Sequence, residues 1–400
     1  MAGAATRLLF VTSWRDYLDR MDRFTYDFID AAHAYPRVNV TVWGKGWHGW
    51  DSMGPLASGA ARLQARFGRC PPFDAIVTMQ VTNDIEELEW PADCEGRPPV
   101  RVFEIPDCAA HKEPNATHSH EHPCVRAVPA WADVVMSRYS GPLMALFIPT
   151  PPHLTGRPRL YTHNPDCVNE AHFSLTPQPL DSRPESVQLF GSVWSFYPMR
   201  DILKRTIESL GKGRVYTHPG YHMLGKGRNA QLPEPPPAYT PSMHATFVPQ
   251  AMAQARAYAQ AMEATQLCVF DGTVTRKEVK KYFEAMRAGC AVGADLPLGV
   301  WSELRPAMVE LPRDGTVNDY KHLLTKALAH PHSLAQRAEA GRAIVTRSFM
   351  CSSKVERLLS DIAEYHAGRR GLKFPFSTSL DCHSYASNWR LPHLSWCGGQ

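Results

Sequence analysis

Short apolar runs alternate with amphipathic helical patterns along most of the chain, and this alternation constrains the fold more than any other feature. The runs of the first half lie at 8–12, 38–43, 75–78, 100–104 and 134–137, with a weaker one at 146–148. Between the first two runs, residues 17–35 carry apolar side chains at near-helical spacing. A strand, a helix and a strand in this order form a βαβ unit, so the sequence predicts parallel strands joined by crossover helices.

A second series of strands and helices follows a proline-rich break. Residues 174–186 contain three prolines in a polar stretch, which predicts a linker between two domains. The strands predicted beyond it are 187–190, 215–218, 267–270, 291–294 and 308–311, and the helices are 199–210, 250–265, 277–288, 317–329, 333–348 and 354–366. We therefore expect an α/β protein with two doubly wound domains, which bind ligands in a cleft between the carboxyl ends of their sheets.

Composition excludes several other classes of protein. Apolar residues make up 44% of the chain and charged residues 20%, which is typical of globular domains and unlike disordered or fibrous chains. The 43 basic and 39 acidic residues nearly balance, so a scaffold that binds nucleic acid by counterion release is not expected. No basic face with interleaved aromatic residues is evident, so nucleic acid is also not an expected acceptor.

The sequence carries no pattern typical of a membrane span, an export signal or a cysteine-based metal site. No apolar run approaches the roughly 18–20 residues that span a bilayer, so we expect no integral membrane segment and at most peripheral membrane contact. The first apolar run is too short for the core of a signal peptide. The ten cysteines include no C-x-x-C pair and are too sparse for a disulfide scaffold. The simplest interpretation is a reduced, cytoplasmic chain.

The segment 275–294 is the most informative for chemistry. A predicted helix starts among cations, carries Glu278 and Glu284, and stops at Gly289 before a strand of small residues. A helix N-terminus with its free amide groups, reinforced by Lys280 and Lys281, is suited to holding a diphosphate. Glu284 then lies where a carboxylate can accept hydrogen bonds from two ribose hydroxyls. The alternative is a surface helix with solvated lysines and a capping box from Thr275 to Glu278.

The stretch Lys281-Tyr-Phe-Glu-Ala-Met-Arg-Ala-Gly289 resembles the nucleotide-sugar signature of the group 1, family 4-type glycosyltransferases of GT-B fold, and among them the CgeB-like branch. Residues 42–51 resemble the glycine-rich turn after the second strand of that family, and residues 163–173 resemble its exit into the second domain. The resemblance implies two facing Rossmann-like domains with a cleft between them. Residues 1–175 would bind the acceptor, 186–345 the nucleotide sugar, and 346–400 would hold a helix that crosses back, plus a tail.

The resemblance also implies roles for individual residues of the second domain. Glu284 would bind the donor ribose, and Lys280 and Lys281 would lie at the diphosphate. Gly191, Ser192 and Arg200 occupy the position of a glycine turn and a cation that faces the donor phosphates, and the alternative is an ordinary strand-to-helix connection. His218 and Tyr221 follow the next strand and would border the base, unless they form only a packed turn.

The stretch 107–124 is rich in histidine and cysteine. His118, His120 and His122 would share one face only in an extended strand, which makes a metal site the less favoured interpretation beside a polar loop. Related sequences often have an aspartate and a histidine here, so Asp107 and His111 are candidates for acceptor activation, with Lys281 as the third catalytic candidate. No metal is expected, because side chains and amide groups in GT-B enzymes offset the charge of the leaving diphosphate.

One departure from the family concerns its first glutamate, which usually precedes the second by eight residues. That position here is Arg276, and the nearest acid is Glu278, so the role of the first glutamate is unassigned. The expected activity is transfer of a sugar from a UDP- or GDP-sugar to a carbohydrate or other hydroxyl-bearing acceptor, with retention and without a required cofactor. The alternatives are a non-catalytic protein that binds sugars or nucleotides and a sugar-nucleotide epimerase. The oligomeric state is not indicated.

Overall fold

Two parallel β-sheets joined by helices make up the protein, which is known from a computed structural model. The structure describes residues 5–18, 23–54, 57–79, 91–105, 128–129, 131–138, 159–174, 176–193, 197–216, 232–241, 243–247, 249–273, 276, 278–297 and 299–373. Among them, no helix combines the length and the hydropathy needed to cross a membrane.

The first sheet has seven parallel strands in the order β12-β6-β5-β4-β3-β1-β2. Its strands are β1 (Thr6–Val11), β2 (Val38–Trp43), β3 (Ala75–Met79), β4 (Val100–Glu104), β5 (Val134–Ser137), β6 (Leu160–His163) and β12 (Gly371–Lys373). The helices of this half are α1 (Trp14–Leu18), α2 (Arg23–Ala34) and α3 (Gly59–Phe67). The predicted strand 146–148 lies outside the described residues.

The second sheet has five parallel strands in the order β11-β10-β9-β7-β8. They are β7 (Glu185–Leu189), β8 (Gly213–Val215), β9 (Thr265–Val269), β10 (Ala291–Ala294) and β11 (Met308–Glu310). The helices are α4 (Arg200–Leu210), α5 (Met243–Phe247), α6 (Pro249–Glu263), α7 (Lys280–Arg287), α8 (Trp301–Leu304), α9 (Val317–Leu328), α10 (Pro331–Ser348) and α11 (Cys351–His366).

The core of the second domain has a layer on each face of the sheet. Alternate residues of a strand point to opposite faces, and in β9 Leu267 packs with α4 and α9 residues while Cys268 packs with α7 residues. Both faces of this sheet are therefore covered by helices, as in a doubly wound domain.

The chain passes between the two domains twice, and the two crossings contact each other. The segment after β6 leads into the second domain, and α11 returns to pack against α2, β4, β5 and β6 of the first. At the junction of α10 and α11, the Val168 amide donates to the Phe349 carbonyl and the Cys351 amide donates to the Val168 carbonyl. A disulfide joins Cys167 to Cys351 at the same place.

Several sequence-based expectations differ from the structure. Helix α7 begins at Lys280 rather than 277, and its N-cap, Val279, makes no side-chain capping bond, so the capping box ending at Glu278 is wrong. Strands β6 and β12 were not predicted, because each is short and carries polar residues. The described cysteines form three disulfides, Cys70–Cys94, Cys167–Cys351 and Cys268–Cys290, so the expectation of a reduced chain is wrong for these six.

Candidate functional site

A glycine and three charged residues follow four strands of the second sheet, close to the point where each strand ends. Gly191 comes two residues after β7, Asp271 two after β9, Asp295 one after β10 and Arg313 three after β11. Because parallel strands end at the same edge of a sheet, these residues lie together at the carboxyl edge, where open α/β sheets bind ligands.

The turn after β7 brings together three residues that the sequence singled out. Gly191 has φ = +103°, and a Cβ there would come within 2.5 Å of Arg200 Nη1 and 2.9 Å of Lys281 Cε. Arg200 Nη1 also donates to the Ser192 carbonyl, at 2.8 Å. The positive φ favours glycine here, and without a Cβ the turn presents backbone directly beside Lys281.

Arg200 is fully buried beneath this turn. Its Nε donates to Asp271 Oδ1 at 2.7 Å, and its guanidinium carbon lies 3.2 Å from the centre of the Tyr197 ring. Its charge is thus paired inside the protein and supports the turn, and the expectation that Arg200 faces the donor phosphates stays a prediction. Lys281 is the partly exposed cation beside Gly191.

Asp271 is a buried carboxylate that anchors two parts of the α4 N-terminus. Besides Arg200, it accepts a hydrogen bond from the Met199 amide at 2.9 Å. Burial raises the pKa of Asp271 to about 6, because the loss of hydration outweighs the favourable charge of Arg200 and the amide bond.

Asp295 connects the ends of three strands. Its carboxylate accepts hydrogen bonds from the Gly272 amide at 2.7 Å, from Tyr282 Oη at 2.9 Å and from Arg313 Nη1 at 3.2 Å. Arg313 Nη2 donates to the Thr273 carbonyl at 2.8 Å. Asp295 and Arg313 thus hold the ends of these three strands together at the carboxyl edge of the sheet. Sequence reasoning missed Asp271, Asp295 and Arg313, although each follows a predicted strand.

The two lysines at the start of α7 contact different domains. Lys281 lies at the Gly191 turn, whereas Lys280 Nζ lies 2.6 Å from Asp27 Oδ2 of α2 and is buried. The charge of Lys280 is thus paired with the first domain, and its predicted place at the donor diphosphate stays a prediction. Asp27 Oδ1 also contacts Asn169 Nδ2 at 2.9 Å and His172 Nε2 at 3.3 Å.

Two glutamates flank these lysines. Glu284 lies three residues after Lys281, within one helical turn, and is 4% exposed. Glu278, which the sequence left without a role, is buried with its Oε1 2.9 Å from Nε2 of His163 at the end of β6.

The carboxyl edge of the first sheet holds a second buried charge network. Glu104, the last residue of β4, accepts hydrogen bonds from Arg138 at 3.1 Å and from Lys354 of α11 at 3.0 Å, and Arg138 lies 3.5 Å from Asp166. Burial opposes ionisation of Glu104, but Arg138 and Lys354 outweigh it and lower the pKa of this carboxyl. Sequence reasoning did not identify this network. The available signal was position, because Glu104 ends one predicted strand and Arg138 directly follows another.

Four predicted site residues, Asp107, His111, His218 and Tyr221, lie outside the described residues. The histidine-rich stretch 107–124 lies there as well. Within the described ranges, no group of three or more histidine, cysteine, aspartate or glutamate side chains is arranged to hold a metal ion.

No protein-family model and no curated protein sequence matches the chain. Its structure is similar to sucrose-phosphate synthase from Thermosynechococcus elongatus, with a TM-score of 0.55 and 12% identity, covering 91% of this chain and 100% of that one. It is also similar to HepE of Anabaena in complex with UDP, with a TM-score of 0.53, 14% identity and coverage of 90% and 100%. A third similar structure is an alpha-glucosyltransferase in complex with UDP and a 13-mer DNA. Its TM-score is 0.51 and its identity 10%, and the match covers 90% of this chain and 100% of that one.

These similarities confirm the predicted fold, two Rossmann-like domains in the GT-B arrangement. Identities of 10–14% show a shared fold alone. The chemistry must therefore be argued from the residues of this chain.

Proposed function

We propose that this protein is a glycosyltransferase that moves a sugar from a nucleoside-diphosphate donor to an acceptor hydroxyl. The observation that carries the proposal is the approach of Lys281 to the Gly191 turn at the carboxyl edge of the second sheet. A cation beside backbone without a Cβ suits a diphosphate, which needs positive charge and close access to amide groups. Two proteins of similar fold, HepE and an alpha-glucosyltransferase, are solved in complex with UDP, and this supports the assignment.

In the proposed reaction, the oxygen of the acceptor hydroxyl forms a bond to the anomeric carbon of the sugar. The bond from that carbon to the diphosphate oxygen breaks, and the diphosphate leaves with the electron pair. Lys281 and the first amide groups of α7 offset the negative charge that develops, which lowers the barrier most when they are fixed beforehand. Arg200 and Asp271 act indirectly, because they hold the Gly191 turn in place.

We assign the remaining predicted residues to the ribose, the base, the phosphates and the acceptor hydroxyl. Glu284 accepts hydrogen bonds from the two ribose hydroxyls, His218 and Tyr221 border the base, and Ser192 lies beside the phosphates. Asp107 or His111 takes the proton of the acceptor hydroxyl. We propose residues 1–175 as the acceptor domain, 186–345 as the donor domain, and UDP- or GDP-sugars as donors.

We further propose that the anomeric configuration is retained, with the acceptor oxygen attacking the face of the sugar from which the diphosphate departs, and that no metal is required. Lys281 and the helix amides supply the positive charge that a bound cation would otherwise provide. The acceptor is a carbohydrate or another molecule with a free hydroxyl. Peripheral association with a membrane is compatible with such an acceptor.

The pairing of Glu278 with His163 favours one alternative. Because the acid nearest to the first family glutamate is already bonded across the domains, a protein that binds nucleotide sugars without turnover is the second candidate. Donor binding without product, over a broad set of acceptors, is the result that supports it. Conversion of the sugar with no free nucleoside diphosphate released indicates an epimerase.

Calorimetric titration with UDP, GDP and their sugars tests the donor site. Lys281→Met and Glu284→Gln should weaken binding of the preferred nucleotide at least tenfold, because each removes a charged contact in the proposed complex. Lys204→Met and Glu208→Gln are matched controls, since both side chains are exposed on α4, and they should bind like wild type. Unchanged affinity in Lys281→Met and Glu284→Gln contradicts the proposed site.

A further inference from the structure

The start of α7 is attached to the first domain at two points, and the proposed function uses neither. Glu278 Oε1 lies 2.9 Å from His163 Nε2, and Lys280 Nζ lies 2.6 Å from Asp27 Oδ2. All four side chains are between 0 and 7% exposed. His163 ends β6 and Asp27 lies in α2, so both partners belong to the first domain. Lys281 follows directly and reaches the Gly191 turn of the second.

Helix α7 lacks the local features that usually fix a helix N-terminus. Its N-cap residue, Val279, makes no side-chain hydrogen bond to the first turn, and that turn contains no acidic residue. Arg276, just before it, adopts φ = +52°, a conformation that residues other than glycine rarely take. Val279 and Tyr282 pack in the core of the second domain, and the contacts of Glu278 and Lys280 with the first domain add a second constraint on this segment.

The carboxylate that pairs with Lys280 is also held by two other side chains. Asp27 Oδ1 contacts Asn169 and His172, which fixes the carboxylate and leaves Oδ2 for Lys280. Burying such an ion pair costs hydration that its attraction repays only when the geometry is good, so a buried pair is weak evidence for stability. The geometric constraint on α7 is the better-supported role.

We infer that Asp27 and His163 are positioning residues, which hold the α7 N-terminus so that Lys281 lies at the Gly191 turn when the two domains are together. This inference rests on the proposed function. If Asp27 and His163 act in this way, donor binding depends on the first domain even though neither residue touches the donor. By thermodynamic reciprocity, a donor that needs Lys281 in place favours the arrangement in which both contacts are made.

Nucleotide titration of a double-mutant cycle tests the inference. Lys280→Met, Asp27→Asn and the double variant should each weaken binding of the preferred nucleotide about tenfold, and the effects should not add, because all three break the same contact. Lys280→Arg should bind within about twofold of wild type, because it keeps the ion pair. Lys204→Met is the exposed control on α4. If Lys280 contacted the donor itself, Asp27→Asn would leave affinity unchanged and the inference would be overturned.

Asp27→Asn leaves Lys280 buried without a carboxylate and is the variant at greatest risk of not folding. The double variant has no unpaired cation, since Met replaces Lys280, and circular dichroism checks its fold. Wild-type affinity in the folded double variant overturns the inference while leaving the proposed function intact. If wild type binds no nucleotide or nucleotide sugar, the proposed function itself fails, and the two failures are thus distinguished. In turnover assays, the KM for the donor should rise while the KM for the acceptor stays unchanged.

Discussion

The guanidinium of Arg200 is bonded to the carboxylate of Asp271 directly beneath the Gly191 turn, with 2.7 Å between Nε and Oδ1. Neither side chain has access to solvent. Asp271 follows β9 and Arg200 begins α4, so the ion pair joins these two elements. The turn between β7 and α4 lies directly on this pair. This places a titrating group under the proposed diphosphate site.

Ionisation of Asp271 should make stability depend on pH. Burial raises its pKa from 3.8 to about 6, and a group with a raised pKa favours folding when it is protonated. Its contribution to the free energy of unfolding is complete below pH 3.8 and is lost as pH rises through about 6. Asp271→Asn cannot ionise, so wild type should lose stability relative to this variant between pH 4 and 7. Urea unfolding of both proteins across this range checks it, and parallel pH profiles contradict it.

Gly191→Ala should weaken nucleotide binding, because its Cβ would collide with Arg200 and Lys281. Gly211→Ala is the matched control: Gly211 also has a positive φ, +66°, but a Cβ there has nothing within 4 Å. Both substitutions should cost about 1–2 kcal/mol of stability through backbone strain. Calorimetry should show at least a tenfold loss of nucleotide affinity for Gly191→Ala and none for Gly211→Ala. Equal nucleotide affinities of Gly191→Ala and Gly211→Ala would show that the Gly191 turn is not part of the nucleotide site.

Local sequence patterns predict much of the fold, but they predict the geometry of the candidate site less well. Strands β2, β4, β5 and β10 have the predicted bounds, because each is a short stretch dominated by apolar residues. Asp271 and Asp295 follow predicted strands, so the sheet edge alone was a sufficient signal for them. No local pattern indicates whether Arg200 lies above the turn or beneath it. Lys280 and Asp27 are 253 residues apart, and only the tertiary structure brings them together.

Loss of the Cys167–Cys351 disulfide should destabilise the protein more than loss of Cys70–Cys94. The first bond closes a separation of 184 residues and joins the two interdomain crossings, whereas the second spans 24. Loop-closure entropy predicts a loss on the order of 2–5 kcal/mol, larger for the longer loop. Thermal unfolding of the two double Cys→Ser variants measures the difference. The opposite order would show that the crossings are held mainly by other contacts.

Glu104→Gln should strongly destabilise the first domain. It leaves Arg138 and Lys354 buried without the carboxylate that accepts from both, and breaking such a network costs about 3–5 kcal/mol. The lowered pKa of Glu104 means that wild type keeps this contribution above the ordinary glutamate pKa and loses it as pH falls through the lower folded value. Asp93→Asn, at an exposed pair with Arg69, should change the free energy of unfolding by less than about 1 kcal/mol. Denaturant unfolding at pH 7 compares them.

Release of free nucleoside diphosphate together with a glycosylated product tests the central claim most directly. Wild type is incubated with UDP- and GDP-sugars and a panel of carbohydrate and other hydroxyl-bearing acceptors, and both products are quantified by mass spectrometry. We expect equimolar nucleoside diphosphate and glycoside from wild type, unchanged turnover in Lys204→Met, and at least a hundredfold slower turnover in Lys281→Met. Nucleotide-sugar binding with no transfer to any acceptor, or equal turnover by wild type and Lys281→Met, would contradict it.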